Sequence, residues 1–440
     1  MPVGFDPTNP AAYSATAWSL YDAIDRAAAQ TGVGLYFSLG PPPPLWASGR
    51  GAPRRDLPQW RPSAQAFGAF VHAMGVRYSG TYLPSGASTP LPRISFWGIW
   101  NEPNYGVDLA PQAIDGWRVE VSPATYRGML DAAWSALQAT GHGRDTILIG
   151  ELAPRGVQAS DGMTPLRFLR ALYCVDGSFR PLRGESARLR GCPATAAGSN
   201  RFLASHPALF RASGLAIHPY PQGLPPDYLT PNEPGYADLP ALPRLERTLD
   251  MVERPYGPGS QLPVYNTEFG YKTAPPFPGG VSPTTAAAYL NWAEYISWRD
   301  PRIRSYDQYL LTDPACLTLS CFATGLEAEN GMRKPSYAAF RMPVYLPVTT
   351  FTPGQALEVW GCVRPARYAT RETGRSQIVE IEFKRTGSRT WSALSSVTIT
   401  DPNGYFDVTR VFHTAGSVRL AWHYPHGLRI FSRTVALTTH

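Results

Sequence analysis

Residues 94–104 read I-S-F-W-G-I-W-N-E-P-N. Ile94 to Trp100 is a short apolar and aromatic run that suits a buried parallel strand, although its length alone does not exclude a buried helix. Pro103 has no N–H to donate, so the strand is expected to end in the turn Asn101-Glu102-Pro103-Asn104. Glu102 therefore stands where a buried strand stops. Residues 263–270, P-V-Y-N-T-E-F-G, repeat the pattern and place Glu268 at a second strand end. One glutamate at a strand end is ordinarily a solvated rim residue. Two on the same rim of a parallel-strand barrel can face each other across a cleft. One acid with one nucleophile or base is the apparatus that hydrolyses glycosidic bonds.

Outward from these stretches the chain alternates helix and strand signals. Ser14 to Gln30 carries apolar residues at helical spacing, and Gly32 follows as a stop. Val33 to Leu39 reads as a strand, with Leu45 and Trp46 on the loop beyond it. Ser63 to Tyr78 reads as a helix, and Ser122 as the cap of another, with Pro123 at its first position. Further strands are expected at Thr146 to Leu152, Leu215 to Tyr220, around Glu268, and at Ile303 to Leu311. Helices are expected at Pro165 to Tyr173, Leu242 to Val252, Thr284 to Trp298 and Tyr337 to Phe340, and the stretch 184–198 reads as an insertion loop. This order argues for a (β/α) barrel or a doubly wound sheet. No Gly-rich phosphate loop follows a strand, which counts against a nucleotide-binding sheet. About six strand–helix units precede residue 345, where a closed barrel needs eight. After Pro347 short strands follow one another with no helix signal (Ala356 to Val363, Gln377 to Arg385, Thr390 to Thr400, Val418 to His423, Leu428 to Ala436), as in a β-sandwich. The expected organisation is an α/β chain, with a TIM-type (β/α)8 barrel lacking its first strands over residues 1–346 and a β-sandwich over residues 347–440.

Composition narrows the function classes. With 45 Pro, 40 Gly, 12 Trp and 23 Tyr in 440 residues, the chain has ordered loops and more aromatic rings than a plain core needs. Some of these rings can serve as platforms for sugars, and Trp46 is a candidate. The net charge is +7, with arginines scattered rather than clustered, so no nucleic-acid module is expected. An acidic polysaccharide partner fits the charge, as does a plain solubility role. Of five cysteines, Cys174 and Cys192, and Cys316 and Cys321, suggest local pairs that leave Cys362 free. Disulfides favour an oxidising compartment, hence secretion or the cell surface, although Met1 to Pro7 carries no leader pattern. Neither zinc-ligand spacing nor any ~18-residue apolar run is present, so no metal, no cofactor and no membrane span are expected.

W-N-E-P-N at Trp100 to Asn104 together with T-E-F-G at Thr267 to Gly270 resembles glycoside hydrolase clan A, in particular family 39 and family 5-like actinobacterial proteins. Supporting pieces are F-D-P-T-N-P-A-A-Y at Phe5 to Tyr13, L-W-A-S at Leu45 to Ser48, H-P-Y at His218 to Tyr220 and R-K-P-S-Y-A-A-F-R at Arg333 to Arg341. The resemblance covers residues 5–345. It implies a retaining mechanism on a TIM barrel, acting on a plant or bacterial polysaccharide or oligosaccharide. The acid/base ends strand four, matching Glu102, and the nucleophile ends strand seven, matching Glu268. Asn101 is implied as the ligand of the sugar 2-OH and Tyr220 as a partner of the nucleophile, and His218 is a further candidate. Where the clan ends strand eight in tryptophan, this chain offers Tyr309. The clan also has two strands ahead of the segment matching Phe5 to Tyr13, and the expectation is an N-terminally shortened form or a start codon assigned too late. Two other readings stay open: a non-catalytic carbohydrate-binding protein on a degenerate barrel, and an adhesion protein whose sandwich binds a partner.

Overall fold

The structure, a computed structural model, describes residues 3–52, 58–257, 259, 261–316 and 321–440. Two compact units emerge. The first comprises Met1–Pro219, Leu229–Glu268 and Arg302–Ser305, and the second Tyr220–Tyr228, Phe269–Pro301 and Tyr306–His440.

A six-stranded sheet lies mostly in the first unit, with Phe269 and Tyr306 to Gln308 belonging to the second. Its strands are β1 (Tyr36–Leu39), β2 (Phe96–Ile99), β3 (Thr146–Leu152), β4 (Gly214–Ile217), β5 (Val264–Phe269) and β6 (Ile303–Gln308), and their order in the sheet follows the chain. β1 to β5 run parallel to their neighbours. Each connection from β1 to β5 carries helix, so the connections are of the kind parallel strands require. The sheet is open among the described residues, with β1 and β6 at its edges. Beside β1 runs an apolar groove of about 440 Å3, walled by Trp18, Tyr21, Ile24, Phe37 and Phe70.

Local chemistry fixes the helix ends. Ser14 Oγ accepts the Ala17 N–H and Gly32 closes the same helix, Ala15–Thr31, at φ +70°. Ser63 Oγ likewise caps Ala64–Arg77. Ser122 does not cap Ser122–Ala139 as expected: Val121 holds the cap position. The Ser122 hydroxyl instead donates to Gln112 Oε1 at 3.0 Å. Gln112 is fully buried and its amide N–H groups are committed to Pro103 O and Leu109 O, so its oxygen needs a donor. The stretch 184–198 is not a bare loop. It contributes the helix Gly184–Leu189 and the start of Ala196–Ser205, and Cys192 forms a disulfide with Cys174. The buried Arg127 guanidinium donates to Leu172 O and Gly191 O, both at 2.7 Å, and so ties this stretch down from beneath.

In the second unit two sheets share one apolar core. One runs Thr350–Phe351, Val435–Thr439, Gly416–His423, Ile378–Arg385, Ser392–Thr398, and the other Tyr405–Val411, Ala356–Cys362, Val344–Tyr345. Val359 and Phe406 from the smaller sheet pack in the same cluster as Ile381, Leu420 and Trp422 from the larger. A helix, Ala366–Thr373, interrupts the strands where none was expected, and Tyr405–Val411 is an additional strand. The run Leu428 to Ala436 is split into Arg429–Phe431 and Val435–Thr439. Between them Ser432 Oγ accepts the Leu420 N–H at 2.8 Å, and Arg433 turns toward Asn291 Oδ1 at 2.7 Å. Cys316 pairs with Cys321, and Cys362 is a buried free thiol.

Candidate active site

The site is set by how β2 ends. The strand stops at Ile99, and Trp100 and Glu102 then take left-handed backbone at φ +74° and +36°. Glu151, near the end of β3, does the same at +48°. Such conformations cost a non-glycine residue about 1–3 kcal/mol and persist only where neighbours over-determine them. Here the Trp100 N–H donates to Leu39 O at 3.0 Å and the Glu102 N–H to Glu151 O at 2.9 Å. The Trp100 indole donates to Asp108 O at 3.1 Å. Asn104, fully buried, accepts the Ala153 N–H and donates to Ala153 O and Met163 O. Tyr126 clamps the two strands from below, its hydroxyl donating to Ile99 O at 2.9 Å and accepting the Gly150 N–H at 2.7 Å.

Four ionisable side chains meet above this frame. His218, just past β4, is buried, and its Nδ1 lies 3.0 Å from Glu102 Oε1 and 3.6 Å from Glu268 Oε2. Its Nε2 lies 2.9 Å from Glu151 Oε2. A neutral imidazole donates from one nitrogen only, so two carboxylates on opposite sides call for an imidazolium. Burial works against that charge, but the carboxylates of Glu268, Glu102 and Glu151 outweigh it and hold the His218 pKa well above its ordinary value. Glu151 is 2% exposed, and its Oε2 also accepts the Thr267 hydroxyl at 2.7 Å. Its other oxygen and the Tyr36 hydroxyl are both buried without a hydrogen-bond partner. Both occupy the space over Gly98, where a Cβ would stand 2.5 Å from Glu151 Oε1 and 2.0 Å from Tyr36 OH. Glycine in mid-strand is what lets these two groups come in.

Glu102 and Glu268 are less enclosed, with side chains 24% and 26% exposed. Their oxygens Oε1 and Oε2 both face one nitrogen, so they lie at most ~6.6 Å apart, the sum of the two contacts. Asn101 donates from Nδ2 to Asp108 Oδ2 at 3.0 Å. Burial and the Glu102 and Glu268 carboxylates push the Asp108 pKa up to about 7, against the pull of the Asn101 bond and of His218.

Of the residues expected from sequence, the first unit brings Glu102, Glu268, His218 and Asn101 together. Trp46, about one-third exposed, lies on the short turn Leu45–Ala47. It lines its own cavity of about 230 Å3 with Tyr13, Phe67, Phe70 and Trp100. Tyr220 and Tyr309 belong to the second unit. There the Tyr220 ring lies parallel to Phe269 and edge-on to Phe322, which also meets Tyr309. Nothing in the sequence assigns a role to Asp108, Thr267 or Tyr36, and the one signal for Glu151 is its place near the end of a strand.

No protein-family model matches the sequence, and no curated protein matches it at a significant level. Among solved structures the chain is similar to a glucosidase from Croceicoccus marinus, at 12% identity and TM-score 0.47 over 97% of this chain and 84% of that one. It is also similar to GH5_18 from Streptomyces cattleya, at 14% identity and TM-score 0.44 over 80% and 73%. A third is the glycoside hydrolase family 44 xyloglucanase of Paenibacillus polymyxa, at 11% identity and TM-score 0.36 over 78% and 68%. All three scores fall below 0.5, so the chemistry is read from the side chains alone.

Proposed function

We propose that the chain is a retaining glycoside hydrolase of clan A, related to families 39 and 5, in which Glu102 is the acid/base and Glu268 the nucleophile. The observation that carries this reading is the shared contact on His218 Nδ1. It holds one oxygen of each carboxylate within ~6.6 Å of the other, a ceiling that admits the ~5–5.5 Å of retaining enzymes and reaches only the lower edge of the ~6.5–9.5 Å of inverting ones. The strand positions agree: Glu102 follows β2 and Glu268 lies on β5, three strands further on, the interval from four to seven.

Glu102 gives its proton to the leaving oxygen while Glu268 attacks the anomeric carbon, breaking the glycosidic bond and forming a glycosyl ester. Glu102, now ionised, takes a proton from water, whose oxygen displaces Glu268. His218 as an imidazolium steadies whichever of the two carries the negative charge, and Glu151 beneath it supplies the counter-charge. Asn101, oriented by Asp108, is the ligand for the sugar 2-OH, and Trp46, Tyr220 and Tyr309 are ascribed to substrate binding. The same reading takes residues 1–346 as a (β/α) barrel and 347–440 as an accessory β-sandwich. It places the protein outside the cell, in keeping with two disulfides and with no described helix long and apolar enough to cross a membrane.

The test is hydrolysis of a panel of aryl β-glycosides by the wild-type chain and by Glu268→Gln, with 2-deoxy-2-fluoro glycosides as traps. Turnover confined to the wild type, and a covalent sugar on the peptide bearing Glu268, are expected. A cooperatively folded wild type that turns over none of them, and carries no trapped sugar, would leave a carbohydrate-binding protein instead.

A further inference from the structure

The chain has three lysines among its 40 basic residues: Lys272, Lys334 and Lys384. Lys334 is neutralised by Asp313, 2.6 Å away. Lys272 is different. It is half-buried, and its ammonium lies between two rings, 4.2 Å from the centroid of Phe322 and 4.8 Å from that of Phe277. Among the described residues no carboxylate pairs with it and no acceptor takes its three N–H donors. Aromatic faces attract a cation but do not satisfy those donors.

Lys272 lines a small cavity of about 80 Å3 that lies wholly within the second unit. A second unpartnered group lines the same cavity. Thr324 is 3% exposed, and its hydroxyl is buried with no hydrogen-bond partner. A buried hydroxyl left unmade costs about 1–3 kcal/mol, which a ligand accepting from it recovers. Glycines keep the cavity open: a Cβ at Gly280 would stand 2.5 Å from Lys272 O, and one at Gly270 2.9 Å from Thr324 Cβ. A half-buried cation and a buried hydroxyl, both unpaired among the described residues and both lining one small space, describe a receptor for an anionic group with acceptor oxygens.

We propose that this cavity receives the anionic substituent, carboxylate or sulfate, of an acidic sugar. Along the chain, Lys272 comes four residues after Glu268 and the cavity's Tyr220 two after His218. The net charge of +7 favours the approach of an acidic polymer over long range. As a statement about substrate the proposal rests on the glycosidase reading; as a statement about binding it does not.

The experiment is therefore a binding measurement on the full chain carrying Glu268→Gln, which removes turnover. Isothermal titration compares D-glucuronate, glucose 6-sulfate and D-glucose, with and without Lys272→Met, and each protein's melting is recorded. At least one anionic sugar is expected to bind ten-fold or more tightly than glucose, and the stronger of the two identifies the substituent. Lys272→Met is expected to abolish that preference while leaving glucose binding and melting in place. Thr324→Val, which keeps shape and removes the hydroxyl, is expected to weaken the anionic sugar several-fold. Equal affinity for all three sugars, or a preference that survives Lys272→Met, would overturn the proposal. A Lys272-dependent preference in a protein whose wild type hydrolyses no glycoside would uphold the cavity and remove the hydrolase reading.

Discussion

Glu151 Oε2 and His218 Nε2 stand 2.9 Å apart in the buried floor of the site, while the other nitrogen of the same ring meets Glu102 and Glu268. The pair links a carboxylate that is 2% exposed to two that are about one-quarter exposed. On the glycosidase reading Glu151 is a positioning residue: it fixes the ring and keeps it charged.

Glu151→Gln separates these two effects. The amide oxygen can still accept from Nε2, so the ring stays in place, but one of the charges that raises the His218 pKa is gone. The alkaline limb of kcat/KM is expected to move to lower pH, followed independently by the imidazole NMR titration. The stability effect has a definite sign. A histidine whose folded pKa is raised contributes stability fully below its ordinary value near 6.5, and loses it as pH rises through the folded value. The variant should therefore lose stability mainly on the acid side. An unmoved limb with reduced melting would leave Glu151 a packing residue only.

Glu102→Gln tests the proton donor. Loss of general acid help is expected to slow cleavage of glycosides with poor leaving groups by about 10²–10⁴-fold. Dinitrophenyl glycosides, which need no proton, should still form the glycosyl-enzyme. Added azide, which needs no base, should then restore turnover and yield the β-glycosyl azide. Equal losses across leaving groups would remove Glu102 from this role.

Asp108 offers a pH signature without substrate. Its pKa of about 7 lies above the unfolded value of 3.8, so the folded state holds a proton that the unfolded chain has released. Its contribution is complete below pH 3.8 and falls away as pH rises through about 7. Asp108→Asn keeps an oxygen for Asn101 and removes the titration. Stability at pH 8 is expected to rise by about 1–2 kcal/mol, less than the full shift implies because the carboxyl is partly solvated. Denaturant unfolding at pH 5 and pH 8 measures it, and an unchanged pH dependence would count against it.

What could be read from the sequence is what lies close together along it. Trp100 to Asn104 and the run to Glu268 announce themselves because strand, break and carboxylate are contiguous. The helices at Ala15–Thr31 and Ala64–Arg77 carry apolar spacing and serine caps within a single window. Glu151 escaped because its role depends on His218, 67 residues away, and on the missing Cβ of Gly98. Asp108 escaped because a loop aspartate is ordinarily solvated, and only the fold brings it to Asn101. The helix Ala366–Thr373 is anchored by two alanines, Ala366 and Ala369, too small to mark an apolar face. Ser122 has the composition of a cap, and the buried Gln112 amide claims its hydroxyl first.

Tyr126 carries the last prediction, because it joins the two strand ends that bear Glu102 and Glu151. Its fully buried hydroxyl donates to Ile99 O and accepts from Gly150 N. Tyr126→Phe preserves the ring, and with it the contact to Phe168, but leaves a carbonyl and an amide unpaired in the core. Each such loss costs about 1–3 kcal/mol, so a destabilisation of about 2–4 kcal/mol is expected in denaturant unfolding. Ile99 lies three residues before Glu102 and Gly150 one before Glu151, and both glutamates sit in left-handed backbone that their neighbours must hold. Relaxing the clamp should therefore lower kcat more than it raises KM. Full activity in a destabilised variant would show that the strand ends are held without Tyr126, leaving the Asn104 bonds to Ala153 and Met163 to fix the turn.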